Sequence, residues 1–105
     1  MRFTIDTTND GRSSWWLYGD DNETVAWAGE SFDTTSDAYR AAVAFKRSAA
    51  IARYDVYLDG TGTWRWRARQ SVDTVAASGP SFPSYQAAER AATGVRENAG
   101  AAKGP

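Results

Sequence analysis

The residues of this chain best equipped for chemistry are five tryptophans and a run of alternating arginines. Residues 63–69 read TWRWRAR, so that Trp64, Trp66 and Ala68 alternate with Arg65, Arg67 and Arg69. Successive side chains of an extended strand point to opposite faces. This spacing therefore predicts three guanidinium groups in a row on one face and two indoles on the other. Guanidinium groups beside exposed aromatic rings can stack bases and contact phosphates, or bury against a protein partner.

Other chemistries are narrowed by composition. The chain has no His and no Cys, which removes the commonest general base, the commonest metal ligand, thiolate nucleophiles and disulfides. Ser31 and Ser81 then have no conventional base, and we expect them to serve in capping or turn hydrogen bonds. The acidic stretch GDDNE, residues 19–23, lacks the spacing of a dedicated cation loop and reads as a hairpin turn. GTG at residues 60–62 is followed by no Gly-Lys-Ser/Thr and is likewise a turn rather than a phosphate loop. Arg40, Lys46, Arg47 and Arg53 form a solvated basic helix face. The acids fall in turns and on solvent faces, so no catalytic, cofactor or metal residues are assigned and the chain is not expected to be an enzyme. Twelve basic against thirteen acidic residues give a net charge of −1, too little for a general attraction to nucleic acid or anionic lipid. No signal peptide is visible, and the longest mildly apolar stretch is interrupted by Arg40, Lys46 and Arg47. The expectation is a cytoplasmic chain with no membrane contact.

The elements that must position these residues occur twice. TVAWAGESF from Thr24 matches TVAASGPSF from Thr74, and AYRAA from Ala38 matches AERAA from Ala88, both at an offset of 50. Near the N-terminus the offset is 51, Phe3 matching Tyr54 and Ile5 matching Val56. We read that change as one extra residue in the first hairpin turn, with Trp16 equivalent to Trp66. Each copy reads strand–strand–strand–helix. RFTID, SSWWLY and TVAWAG precede an Ala-rich helix from about Ala38 to Ala52, and YDVYL, TWRWRAR and TVAASG precede a helix from about Tyr85 to Asn98. A half of about 50 residues is marginal alone, which is the physical reason for two copies sharing a core.

WRWRARQSVDTVAASGPSF with GVRENA, and NETVAWAGESF with AFKRSA, resemble the repeat of the YegP-like family, also called domain of unknown function 1508. The resemblance covers the chain from about Phe3 to Ala99. The family's turn Asn matches Asn22, whereas Val72 stands at that place in the second copy. Ala26 and Ala76 stand where the family has a large aliphatic residue. The resemblance implies an α+β fold, as single-repeat dimers or tandem-repeat monomers, and no established activity.

The expected architecture is one α+β domain over residues 1–99, built of repeat 1 (2–52) and repeat 2 (53–99), with a flexible tail at 100–105. Two βββα repeats form an antiparallel sheet with two helices on one face, related by a pseudo-twofold axis. Trp16 and Trp66 are expected in the core, above Phe45 and Val95. By the same register Trp15 and Leu17, with Trp27 beside them, share the open face with Arg65, Arg67 and Arg69. This candidate binding face fits a small non-enzymatic binding domain of unknown partner, with a protein or a second copy as one candidate. Single-stranded nucleic acid is the alternative, held back by the thin basic footprint.

Overall fold

A computed structural model describes all residues, 1–105. Strands β1 (Arg2–Thr7), β2 (Ser13–Tyr18) and β3 (Thr24–Trp27) are followed by helix α1 (Thr35–Ser48). Then β4 (Arg53–Leu58), β5 (Trp64–Gln70) and β6 (Asp73–Ala77) are followed by α2 (Tyr85–Asn98) and a 3-10 turn at Ala99–Ala101. The strands form one six-stranded sheet in the order β1-β2-β3-β6-β5-β4, and every neighbouring pair is antiparallel. Each strand keeps its kind of neighbour when it is exchanged for the one three later. The two halves meet at the centre, where Trp27 faces Ala77 across β3 and β6.

Local chemistry explains the ends of these elements. Gly11 and Gly62, at φ 81° and 83°, let the β1–β2 and β4–β5 hairpins turn through a conformation that a Cβ would strain. The helices begin where a side-chain oxygen accepts an orphan backbone donor. Thr34 takes the Asp37 N–H at 3.0 Å and Ser84 takes the Ala87 N–H at 3.1 Å. Ser31 and Ser81, expected as capping residues, lie three positions earlier, before Phe32 and Phe82. Those phenylalanines make isolated bridges to Ser13 and Trp64.

Both helices pack on one face, α1 over β1 and β2, α2 over β4 and β5. Each also reaches across the centre, α1 to β6 and α2 to β3. Trp15 and Trp66, both fully buried, anchor the two halves of the core. Trp15 stacks on Phe45 with centroids 5.2 Å apart, and Phe3 meets Trp15 edge-on at 5.5 Å. In the second half Tyr54 tilts against Trp66 at 5.7 Å, and Val95 occupies the place of Phe45. The indole N–H groups of Trp15 and Trp66 are both buried without a hydrogen-bond partner.

This core corrects the register expected from the sequence. Trp15, not Trp16, is the counterpart of Trp66. The hairpin bonds match at an offset of 51: Thr8 N–H to Arg12 O and Gly11 N–H to Thr8 O, against Asp59 N–H to Thr63 O and Gly62 N–H to Asp59 O. The offset of 51 therefore runs through β2. It becomes 50 only at the β2–β3 turn, where residues 19–23 stand against the tighter connection closed by Gln70 and Asp73. A slip of one residue turns every side chain of a strand to the other face. Trp15 and Leu17, expected on the open face, are buried under the helices with no exposed surface, and Trp16 and Tyr18 stand outside.

Residues 100–105, expected as a flexible tail, lie against the sheet. Lys103 bridges Arg2 in parallel, accepting the Phe3 N–H at 2.8 Å and donating to Met1 O at 3.0 Å. Lys46 Nζ on α1 donates to Ala102 O at 2.6 Å and Gly104 O at 2.8 Å. The segment thus covers the free edge of β1, which would otherwise present unpaired backbone groups.

Candidate functional site

No helix covers the other face of the sheet, and one row of paired residues crosses all six strands. Thr4 faces Trp16, Trp16 faces Trp27, Trp27 faces Ala77, Ala77 faces Arg67, and Arg67 faces Asp55. The surface is therefore divided. Trp16, Tyr18 and Trp27, all half-buried, make an aromatic side, and Arg65, Arg67 and Arg69 make a basic side. Ala77, between them, is too short to rise above either. Of the residues expected here, Trp27 and the three arginines are in place. Trp15 and Leu17 are not, and Trp16 and Tyr18 take their positions. The one signal that separates these alternatives is the extra residue in the β2–β3 turn.

At the centre of the face is a shallow hollow of about 440 Å³ lined by Trp16, Thr24, Trp27, Arg65 and Gly79. Gly79 is needed there, because a Cβ on it would come within 2.6 Å of Thr24 Cγ2. The hollow is open to solvent along the sheet, and its walls are two indoles and one guanidinium.

The electrostatics of the basic side are quieter than the sequence implies. Arg65 Nε donates to Asp59 Oδ2 at 2.9 Å, and Arg69 Nε donates to Asp55 Oδ2 at 2.6 Å. Arg53 lies 3.5 Å from the other oxygen of Asp55. Arg67, exposed, has no carboxylate partner and lies over the Tyr57 ring at 5.4 Å. Arg2 covers the Tyr18 ring at 4.7 Å and donates to Asn22 at 2.8 Å. The Thr61 hydroxyl and the Arg65 guanidinium hold the Asp59 carboxyl well below the usual carboxylate range, so the Arg65 pair stays charged at neutral pH. Asp10 is also lowered, by the Thr8 hydroxyl first. These are shifts away from the raised carboxyl that a general acid needs.

Residues 19–23 form the expected turn, with Asn22 at φ 64° and the Glu23 N–H donating to Asp21 Oδ1 at 3.2 Å. No group of three or more acidic side chains is gathered closely enough to hold a metal ion. No helix is long and apolar enough to cross a membrane.

Two solved structures share this architecture. The solution structure of YegP from E. coli, a protein of unknown function, superposes with a TM-score of 0.81 over 97% of this chain and 88% of its own, at 14% identity. The fold is YegP-like. A UPF0339 protein from Shewanella oneidensis superposes with a TM-score of 0.79 over 94% of this chain and 84% of its own, at 15% identity. At such identities the likeness speaks for the YegP-like fold alone. No family profile matches the sequence, and no curated protein matches it.

Proposed function

We propose that this chain is a tandem-repeat relative of the YegP-like proteins and acts in the cytoplasm as a small non-enzymatic binding domain. Its open sheet face docks on a protein surface, of another protein or of a second copy. The observation that carries this reading is the pair Trp16–Trp27, two indoles side by side on an uncovered sheet with Ala77 and Arg67 continuing the row. Aromatic rings beside an arginine are the side chains most enriched at the energetic centres of protein interfaces. The paired state of Arg65 and Arg69 argues for a protein over single-stranded nucleic acid, because two of the three guanidinium charges are already partly neutralised by an aspartate and Arg67 alone has no carboxylate partner. The matched hairpins and helices of residues 2–52 and 53–99 support the duplication.

The test is fluorescence anisotropy with a labelled oligonucleotide between about 50 and 200 mM salt, beside cross-linking from a photoreactive side chain at position 67. The expected result is a flat anisotropy baseline, with protein adducts from position 67 that disappear in Trp16→Ser/Trp27→Ser. Salt-dependent oligonucleotide binding that is lost in Arg65→Gln/Arg67→Gln/Arg69→Gln would replace the protein reading with the nucleic-acid one.

A further inference from the structure

The largest cavity lies on the helix side of the sheet, away from the open face. It is a cleft of about 690 Å³ between α1, the chain following β3, and the β5–β6 hairpin. Its size falls within the range of about 300–1,000 Å³ typical of small-ligand sites. The space exists because α1 turns small residues toward the hairpin. Ala44 contributes a methyl group where a longer side chain would close the gap, and Phe32, Phe45 and Val75 form the apolar walls. Phe45 joins the cleft to the core, since its ring also stacks on Trp15.

The charged residues of the cleft are of one sign. Glu30 and Asp73 line it from opposite elements, and no Lys or Arg does. Neither carboxylate is engaged in any ion pair of the chain, although Asp20, Asp33, Asp37, Asp55 and Asp59 all are. Both are exposed, so a cation set between them would keep part of its hydration. The arrangement is confined to one half. At the offset of 50, Pro80 stands in place of Glu30 and Val95 in place of Phe45, while Phe82, Val25 and Glu23 match Phe32, Val75 and Asp73, so the second half lacks the carboxylate pair and has one aromatic wall residue in place of two. The two halves differ here at Glu30, which completes the carboxylate pair, and at Phe45, which widens the apolar wall.

We propose that this cleft binds a small amphipathic organic cation, its apolar body against Phe32, Phe45 and Val75 and its ammonium group between Glu30 and Asp73. Burying the alkyl body removes apolar surface from water. The two carboxylates select the sign of the head group and keep out fatty acids and alkyl sulfates of equal length.

The test titrates the full chain with decyltrimethylammonium below its micelle concentration, and separately with decyl sulfate, following backbone amide shifts and Trp fluorescence. The expected result is saturable shifts at Ala44, Phe45, Thr74 and Val75 with the cation. Affinity should fall about tenfold in Glu30→Gln/Asp73→Asn, which is about 1.4 kcal/mol. Ala44→Phe, a substitution at an exposed helical position, should abolish the shifts by filling the cleft while the rest of the spectrum keeps its native dispersion. Absence of saturation, equal binding of decyl sulfate at the same amides, or shifts that survive Ala44→Phe would each overturn the proposal. None of these results depends on the open face, so the docking reading stands or falls separately.

Discussion

Trp15 is enclosed between Phe3, Phe45 and the sheet, while Trp16, the next residue, is half in solvent against Trp27. The same side chain at adjacent positions therefore makes unequal contributions to stability. Truncating the buried indole leaves a cavity that the packed core cannot fill. Trp15→Ala should cost about 3–5 kcal/mol, somewhat offset because the indole N–H it removes has no partner to lose. Trp16→Ala should cost only about 1 kcal/mol, since one side of that ring already meets water. Urea melts of the two variants check this, and the reverse ranking would mean that the faces of β2 are assigned wrongly. An effect of Trp16→Ala on partner binding with little effect on the melt is what separates a recognition residue from a core residue.

At the scale of elements, the β4–β5 hairpin is organised by one carboxylate. Asp59 Oδ1 accepts from the Thr61 N–H at 2.8 Å and the Thr61 hydroxyl at 2.6 Å, while Oδ2 accepts from the Thr63 hydroxyl and Arg65 Nε, both at 2.9 Å. These donors favour the ionised form, so the folded chain holds the Asp59 pKa below its unfolded value of 3.8. A depressed folded pKa stabilises the fold fully above the unfolded value, and that stabilisation is lost as pH falls toward the folded one. Urea midpoints of the native chain should therefore decline between about pH 5 and pH 2, and Asp59→Asn should decline less steeply. The same variant should be the less stable of the two at neutral pH, where an amide in place of the carboxylate loses the charged partner of Arg65. An acid decline identical in both proteins would assign it to other carboxylates.

The whole molecule is held by elements that cross its midline. The strands of the two halves meet directly at one residue pair, Trp27 and Ala77, so the seam depends on α1 reaching β6 and α2 reaching β3. The C-terminal segment adds a third crossing, from α2 to Lys46 of α1 and to the edge of β1. Residues 1–52 alone would expose the inner side of β3 and one flank of α1. At about 50 residues, such a chain buries too little surface to offset its conformational entropy. The half-chain should be unfolded, or should dimerise and rebuild the missing half. Circular dichroism with sedimentation at micromolar concentration checks this; a folded monomer would show that the core is not shared.

The number, kind and order of the elements followed from the sequence by itself. Period-two alternation in RFTID and TWRWRAR, turn residues between the strands, and two Ala-rich stretches act locally, within a few residues of where they are read. So did the placement of Trp27, Arg65, Arg67 and Arg69. The face of β2 did not, because SSWWLY carries a large apolar residue on both sides and its alternation has no preferred phase. Only pairing with β1 and packing on Phe45 selected Trp15 and Leu17 for the core. The docking of residues 100–105 was equally hidden, since a short Gly- and Ala-rich end has no pattern of its own and is ordered by Lys46 and the β1 edge. The cleft beside α1 was hidden too, because Glu30 and Asp73 are far apart in the chain and come to one cavity only when α1 and the β5–β6 hairpin are laid across the same sheet.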